Sequence, residues 1–167
     1  MSSEPVLKVL MVCLGNICRS PTAHGILQKR LVDAGLDTLV SVDSAGTGDW
    51  HVGKAPDARA TEAAAARNYD LAALRARQVT VDDFARFDYV LAMDNMNIAD
   101  LCRLSPPEQV HKIQRLLDFV SSSVEEVPDP YFGGEDGFEY VLDLVEAACD
   151  GFLLQLKADL DARGHKA

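Results

Sequence analysis

Cys13 and Arg19 bracket the stretch Cys13-Leu14-Gly15-Asn16-Ile17-Cys18-Arg19, and Ser20-Pro21 follows at once. A thiol and a guanidinium at this spacing can hold a phosphate and attack it at the same time. The guanidinium offers a planar fork for two phosphate oxygens. The thiol, once ionised, is a nucleophile. Cys13 equally suits a buried core thiol, because inert packing is the common fate of a free cysteine. The choice between the two depends on how the chain carries the loop.

Val6 to Val12, interrupted by Lys8, is a short apolar run of the kind found in buried parallel strands. Ser20 suits an N-cap and Pro21 the first helical position. Ala23, Ile26, Leu27 and Leu31 then recur at helical spacing, and Gly35 sits where a helix would end. The loop therefore leaves a strand and enters a helix N-terminus. Backbone N–H groups there have no intrahelical partner, and the helix dipole favours an anion. Gly15 allows close approach and Asn16 tolerates left-handed angles. The pattern predicts a ring of amides around a phosphate over Leu14, Gly15, Asn16, Ile17, Cys18, Arg19 and Ser20. The same field favours the Cys13 thiolate.

The rest of the chain alternates strand-like and helical runs. Leu39 to Val42 reads as a second strand, followed by a polar, glycine-rich segment from Asp43 to Gly53. Pro56-Asp57 opens an alanine-rich helix to about Arg67, and a short helical piece lies around Asp82 to Phe84. Tyr89 to Ala92 is a third strand, Asn95 to Leu104 a helix stopped by Pro106-Pro107, and Lys112 to Leu116 a fourth strand. Asp118 to Gly134 is a long loop, a functional hint in a compact domain. Phe138, Val141, Leu142, Val145, Cys149, Phe152 and Leu156 form one face of a final helix. This alternation predicts an α/β fold with a parallel sheet covered on both faces. Ligands in such sheets sit beyond the carboxyl ends of the strands, where Cys13, Ser44 and Asp94 would gather.

With 167 residues, residues 1–167 read as one domain. A net charge of −10 argues against nucleic acid and anionic membrane surfaces as partners, so an anionic substrate must be drawn by a local positive site. No apolar run is long enough to span a membrane, and a signal peptide is not evident. Four cysteines without metal-site spacing predict reduced thiols in a cytoplasmic chain. There is no Cys-x-x-Cys and the four histidines are scattered, so neither a metal nor another cofactor is expected. His24, His111 and His165 read as surface residues.

The phosphate-loop stretch resembles the signature of the low-molecular-weight protein tyrosine phosphatases. The likeness continues through Asp43-Ser44-Ala45-Gly46-Thr47, Trp50-His51-Val52-Gly53, Met93-Asp94-Asn95 and Pro128-Asp129-Pro130-Tyr131-Phe132-Gly133-Gly134. It implies a flavodoxin-like three-layer fold with four parallel strands in the order 2-1-3-4. It also implies hydrolysis of phosphotyrosine in proteins, and of small aryl phosphates, through a phosphocysteine on Cys13. Arg19 would clamp the phosphate, and inorganic phosphate would be the product. A phenolate leaves poorly without a proton, so an acid is needed. Pro128-Asp129-Pro130 would suit a turn, but the resemblance makes Asp129 the general acid and then the base.

The resemblance also implies that Asn16 and Ser44 are a pair whose hydrogen bonds hold the loop, that Asp94 braces it from the third strand, and that the Ser20 hydroxyl, besides capping the helix, stabilises the Cys13 thiolate. A simple turn serves Ser44 as well, and capping serves Asp94. Trp50, Tyr131 and Ile17 would form the aromatic substrate slot, and the apolar Ile17 resembles tyrosine-directed members. Phe132 departs from relatives that carry a second tyrosine there. Cys18 could pair reversibly with Cys13 under oxidation, or simply pack against the loop. Thiol-dependent arsenate reductases share this fold and loop. They require further relay cysteines, and Cys102 and Cys149 lack the expected setting. A non-catalytic phosphate-binding module is a third reading. The chain would act as a monomer or weak homodimer.

Overall fold

The computed structural model describes residues 4–131 and 135–165. Four strands form one parallel sheet: β1 (Leu7–Cys13), β2 (Val40–Gly46), β3 (Tyr89–Ala92) and β4 (Ile113–Arg115), in the order β2-β1-β3-β4. The helices are α1 (Arg19–Asp33), α2 (Ala58–Ala65), α3 (Val81–Arg86), α4 (Asn95–Leu104) and α5 (Glu135–Ala162). Short 3₁₀ turns flank β4 at Pro107–Lys112 and Leu116–Phe119. The fourth strand is thus one residue shorter at each end than the expected Lys112 to Leu116.

Alternation along β1 explains the layers. Leu7, Val9, Met11 and Cys13 pack into one cluster with Ile26, Leu27 and Leu31 of α1 and Val145, Phe152 and Leu156 of α5. Leu10 and Val12 face the opposite cluster with Phe84 of α3 and Leu101 of α4. The central strand is therefore buried on both sides, which is why it reads as a continuous apolar run. Gly35 ends α1 at a left-handed φ of +72°, where a side chain would be strained.

Three backbone contacts bring the carboxyl edge together. The N–H of Thr47 donates to the Cys13 carbonyl at 2.9 Å, that of Gly48 to Leu14 at 2.9 Å, and that of Val127 to Met93 at 2.8 Å. The last ties the long loop to the end of β3. Among the described residues, no helix is long and apolar enough to cross a membrane, and no group of three or more His, Cys, Asp or Glu could hold a metal ion.

Candidate active site

Cys13 ends β1 opposite Gly46 of β2. Gly46 is required there by close approach: a Cβ would lie 2.7 Å from the Leu14 carbonyl oxygen and 3.2 Å from the Asn16 nitrogen. The loop then turns through Asn16, which holds a left-handed φ of +57°. Its side chain pins that conformation from both ends. The Arg77 N–H donates to Asn16 Oδ1 at 3.0 Å, and Nδ2 donates to Ser20 Oγ at 2.8 Å. The Asn16 N–H itself donates towards Cys13 Sγ at 3.3 Å.

Ser20 departs from its expected place. Helix α1 begins at Arg19 with Cys18 at the cap and no side-chain cap hydrogen bond. Ser20 lies inside the first turn, and its hydroxyl is 3.0 Å from Cys13 Sγ. Because Asn16 Nδ2 donates to that hydroxyl, the serine proton is left for the sulfur or for the Ala45 carbonyl, more distant at 3.4 Å. The cap reading of Ser20 is therefore corrected, while the hydroxyl stands beside the sulfur as the resemblance implied.

Arg19 is buried, with its guanidinium fixed at one end. Nη1 donates to Asp94 Oδ2 at 2.6 Å and to the Val127 carbonyl at 3.1 Å. Nη2 is 3.7 Å from Asp129 Oδ2. Burial works against the charge, but the sulfur of Cys13 and the carboxylates of Asp94 and Asp129 outweigh it and hold the group protonated. Asp94 serves both readings given to it: Oδ2 takes Arg19, while Oδ1 accepts the Asn97 N–H at 2.8 Å and caps α4. Asp129 sits in the segment tied to β3, and its Oδ1 accepts the Tyr131 N–H at 3.0 Å.

These groups open on a cavity of about 160 Å³, lined by Cys13, Leu14, Gly15, Ile17, Cys18 and Arg19 from the loop. Asp129, Trp50, His51 and Tyr131 complete the lining from two other segments. Trp50 is 67% exposed, unusual for the sole tryptophan unless something covers its ring. Asn16 and Ser20 do not line the cavity; their side chains lie behind it.

The family model described as low molecular weight phosphotyrosine protein phosphatase matches residues 8–162. A low molecular weight protein-tyrosine-phosphatase of Streptomyces coelicolor is 43% identical over 160 residues, covering 93% of this chain and 97% of that protein. The chain belongs to the low molecular weight protein tyrosine phosphatase family. Among solved structures, a protein tyrosine phosphatase of Entamoeba histolytica with Hepes in its active site superposes with a TM-score of 0.89 at 40% identity, covering 92% of this chain and 98% of that one. YfkJ of Bacillus subtilis gives a TM-score of 0.88 at 37% identity, covering 93% and 98%. This phosphatase family thus accounts for the parallel sheet in the order 2-1-3-4.

Within this phosphatase site, several residues stand differently from expectation. Ser44 is buried, but its hydroxyl lies 3.1 Å from His24 Nδ1 rather than on Asn16. His24 is half-buried rather than a plain surface residue; this burial pushes its imidazole below the ordinary range, against the opposing pull of Asp43. His111 and His165 are exposed. Burial, with Asp57, Cys13 and Asp129 nearby, pushes the Cys18 thiol up to about 12. All four cysteines are free thiols. Phe132 lies outside the described residues.

Sequence reasoning missed three contributors. His51 lines the cavity, with its ring centroid 6.2 Å from that of Tyr131. Its place beside Trp50 in a polar loop was the available signal. Arg77 holds Asn16 through its backbone, while its side chain binds Asp43 and the wholly buried Asp83. The Val127 carbonyl anchors Arg19 across 108 residues of chain. No local pattern marks a backbone atom as a ligand.

Proposed function

We propose that the chain hydrolyses phosphotyrosine in proteins, and small aryl phosphates, in two displacements at Cys13. In the first, the Cys13 thiolate attacks phosphorus; the S–P bond forms as the bond to the phenolic oxygen breaks. Asp129 gives its proton to that oxygen. In the second, water attacks the phosphocysteine, Asp129 takes the water proton, the S–P bond breaks and inorganic phosphate leaves.

The observation that carries this reading is the convergence of Cys13 Sγ, the Arg19 guanidinium and the Asp129 carboxyl on one cavity. Ser20, 3.0 Å from the sulfur and oriented by Asn16, donates to the thiolate both before attack and as it leaves. Arg19 and the loop amides match the equatorial oxygens best as charge spreads over them in the transition state. Asp129 Oδ1 is occupied by the Tyr131 N–H, so the transferred proton rides on Oδ2, the oxygen facing Arg19. Trp50, Tyr131 and Ile17 take the phenyl ring.

The reading takes the whole chain as one catalytic domain in a reducing compartment, a monomer or weak homodimer, with phosphotyrosine proteins as partners. An arsenate reductase would need a thiol relay. Cys102 is exposed on α4, while Cys149 is wholly buried in α5 with its thiol pushed up to about 12. Release of phosphate from para-nitrophenyl phosphate tests the proposal, with Cys13→Ser and Asp129→Ala beside it and thioredoxin-coupled arsenate reduction as the competing assay. Turnover that vanishes in Cys13→Ser, without arsenate reduction, supports it; undiminished turnover in Cys13→Ser overturns it.

A further inference from the structure

We propose that Arg59 is a positioning residue that clasps the acid-bearing loop to the phosphate loop, holding Asp129 and the Tyr131 ring at the cavity mouth. The inference rests on the reading of Asp129 as the acid given above.

Arg59 lies in the first turn of α2 and does not line the cavity. The start of α2 is hung on the phosphate loop, because the Asp57 N–H donates to the Ile17 carbonyl at 2.8 Å. Asp57 caps the helix and grips Arg59 from two directions. Its Oδ1 accepts the Arg59 backbone N–H at 2.8 Å and Nε at 3.1 Å, and its Oδ2 accepts Nη2 at 3.0 Å. The guanidinium plane is thereby fixed, and in return it holds the Asp57 carboxyl below the usual carboxylate range.

The same Nη2 that binds Asp57 also reaches the acid loop. Nη2 donates to the Tyr131 carbonyl at 2.9 Å. The central carbon stands 5.6 Å from the Tyr131 ring centroid and 4.8 Å from that of Phe138 on α5. The N–H of Tyr131 is the group that donates to Asp129. An unbroken path therefore runs from the Ile17 carbonyl through Asp57, Arg59 and Tyr131 to the carboxyl group over the cavity. A solitary exposed ion pair contributes little to stability. Here the Asp57 fork already orders the side chain, and what the clasp supplies is geometry, to which proton transfer is far more sensitive than folding is. A lysine cannot replace it, since a point charge lacks the planar fork that binds Asp57, Tyr131 and two ring faces together.

The test is kcat/KM and kcat on a series of aryl phosphates with leaving groups of graded basicity. It compares the intact chain with Arg59→Ala, Arg59→Lys, Asp129→Ala and the Arg59→Ala/Asp129→Ala double variant. The clasp predicts a loss in kcat/KM, which reports the first displacement alone, of about tenfold in Arg59→Ala on the most basic leaving group, shrinking to under about twofold on the least basic. Arg59→Lys should lose as much as Arg59→Ala. In the Asp129→Ala background, Arg59→Ala should add less than about twofold, because the group it positions is gone. An Arg59→Ala loss blind to the leaving group, full additivity in the double variant, or wild-type kinetics in Arg59→Lys each overturns the clasp. An Asp129→Ala loss that is itself blind to the leaving group counts instead against Asp129 as the acid. The two failures are thus told apart in one data set.

Discussion

Arg19 Nη2 and Asp129 Oδ2 face each other at 3.7 Å, while the other end of the guanidinium is fixed to Asp94 and the Val127 carbonyl. The cation that would clamp phosphate and the carboxyl group that would protonate the leaving oxygen are thus paired across the cavity. Arg19 cannot swing to follow Asp129, because Nη1 is tethered twice. An entering phosphate therefore meets a preset fork, and Asp129 is the partner that gives way.

The tether can be tested at Asp94. Asp94→Asn keeps an oxygen to cap α4 but removes the charge facing Arg19. A charge-assisted hydrogen bond contributes roughly 1.5–3 kcal/mol, so kcat/KM for aryl phosphates should fall about 10- to 100-fold. Inhibition by inorganic phosphate should weaken in parallel, and the melting temperature should fall by several degrees, because the buried Arg19 charge loses a partner. Unchanged phosphate affinity would remove Asp94 from this role.

Asp129→Ala should slow hydrolysis of phenyl-type esters by roughly 10²–10⁴, the usual contribution of a general acid. The loss should shrink as the leaving group becomes less basic. Values of kcat/KM over a leaving-group series measure it, because they report the first displacement only, and equal losses in kcat/KM across the series would exclude proton donation by this residue.

Cys18 lines the same cavity as Cys13, with its thiol pushed up to about 12. It is therefore a neutral thiol at rest and does not compete as nucleophile. If Cys18 protects the nucleophile, peroxide would turn Cys13 into a sulfenic acid, whose condensation with the Cys18 thiol would form the disulfide and release water. Activity of the intact chain should return with added thiol after peroxide treatment, whereas Cys18→Ser should progress to irreversible loss. Equal recovery in both would show that Cys18 only packs against the loop.

His24 gives a pH signature. Its folded value is lowered below the unfolded one near 6.5 by burial, so the unfolded chain binds more protons in the window beneath that value. The contribution to stability is full above about pH 6.5 and is lost as pH falls through the folded value. Melting temperatures from pH 7 to pH 5 should decline less steeply in His24→Gln than in the intact chain. Parallel slopes would contradict the assignment.

The carboxyl-edge site was legible in the sequence where local pattern carries it. The apolar run into Cys13 and the glycine and asparagine of the loop announce themselves within a few residues, whereas Pro-Asp-Pro around Asp129 suits a turn as well, and only resemblance set Asp129 apart as an acid. The sheet followed from strand and helix alternation, with its order supplied by resemblance. Ser20 was legible from local pattern only as a helix cap, which it is not, since the helix begins one residue earlier; its hydroxyl's approach to Cys13 was an expectation carried by resemblance. His24 was misread because no neighbouring residue announces a partner twenty positions away on β2. Arg59, Arg77 and Val127 were invisible because each acts on, or through, a backbone atom more than sixty residues distant. Such contacts are set by tertiary packing alone.

The central claim is a covalent phosphoryl group on one sulfur, and rapid quenching reads it directly. The chain is mixed with phosphorus-labelled aryl phosphate, stopped in denaturant within the first turnover, and the label mapped by peptide digestion. The account predicts label on Cys13, bound as a thiophosphate, accumulating further in Asp129→Ala with a good leaving group and absent in Cys13→Ser. Phosphate released at the normal rate with no label on Cys13 would contradict it.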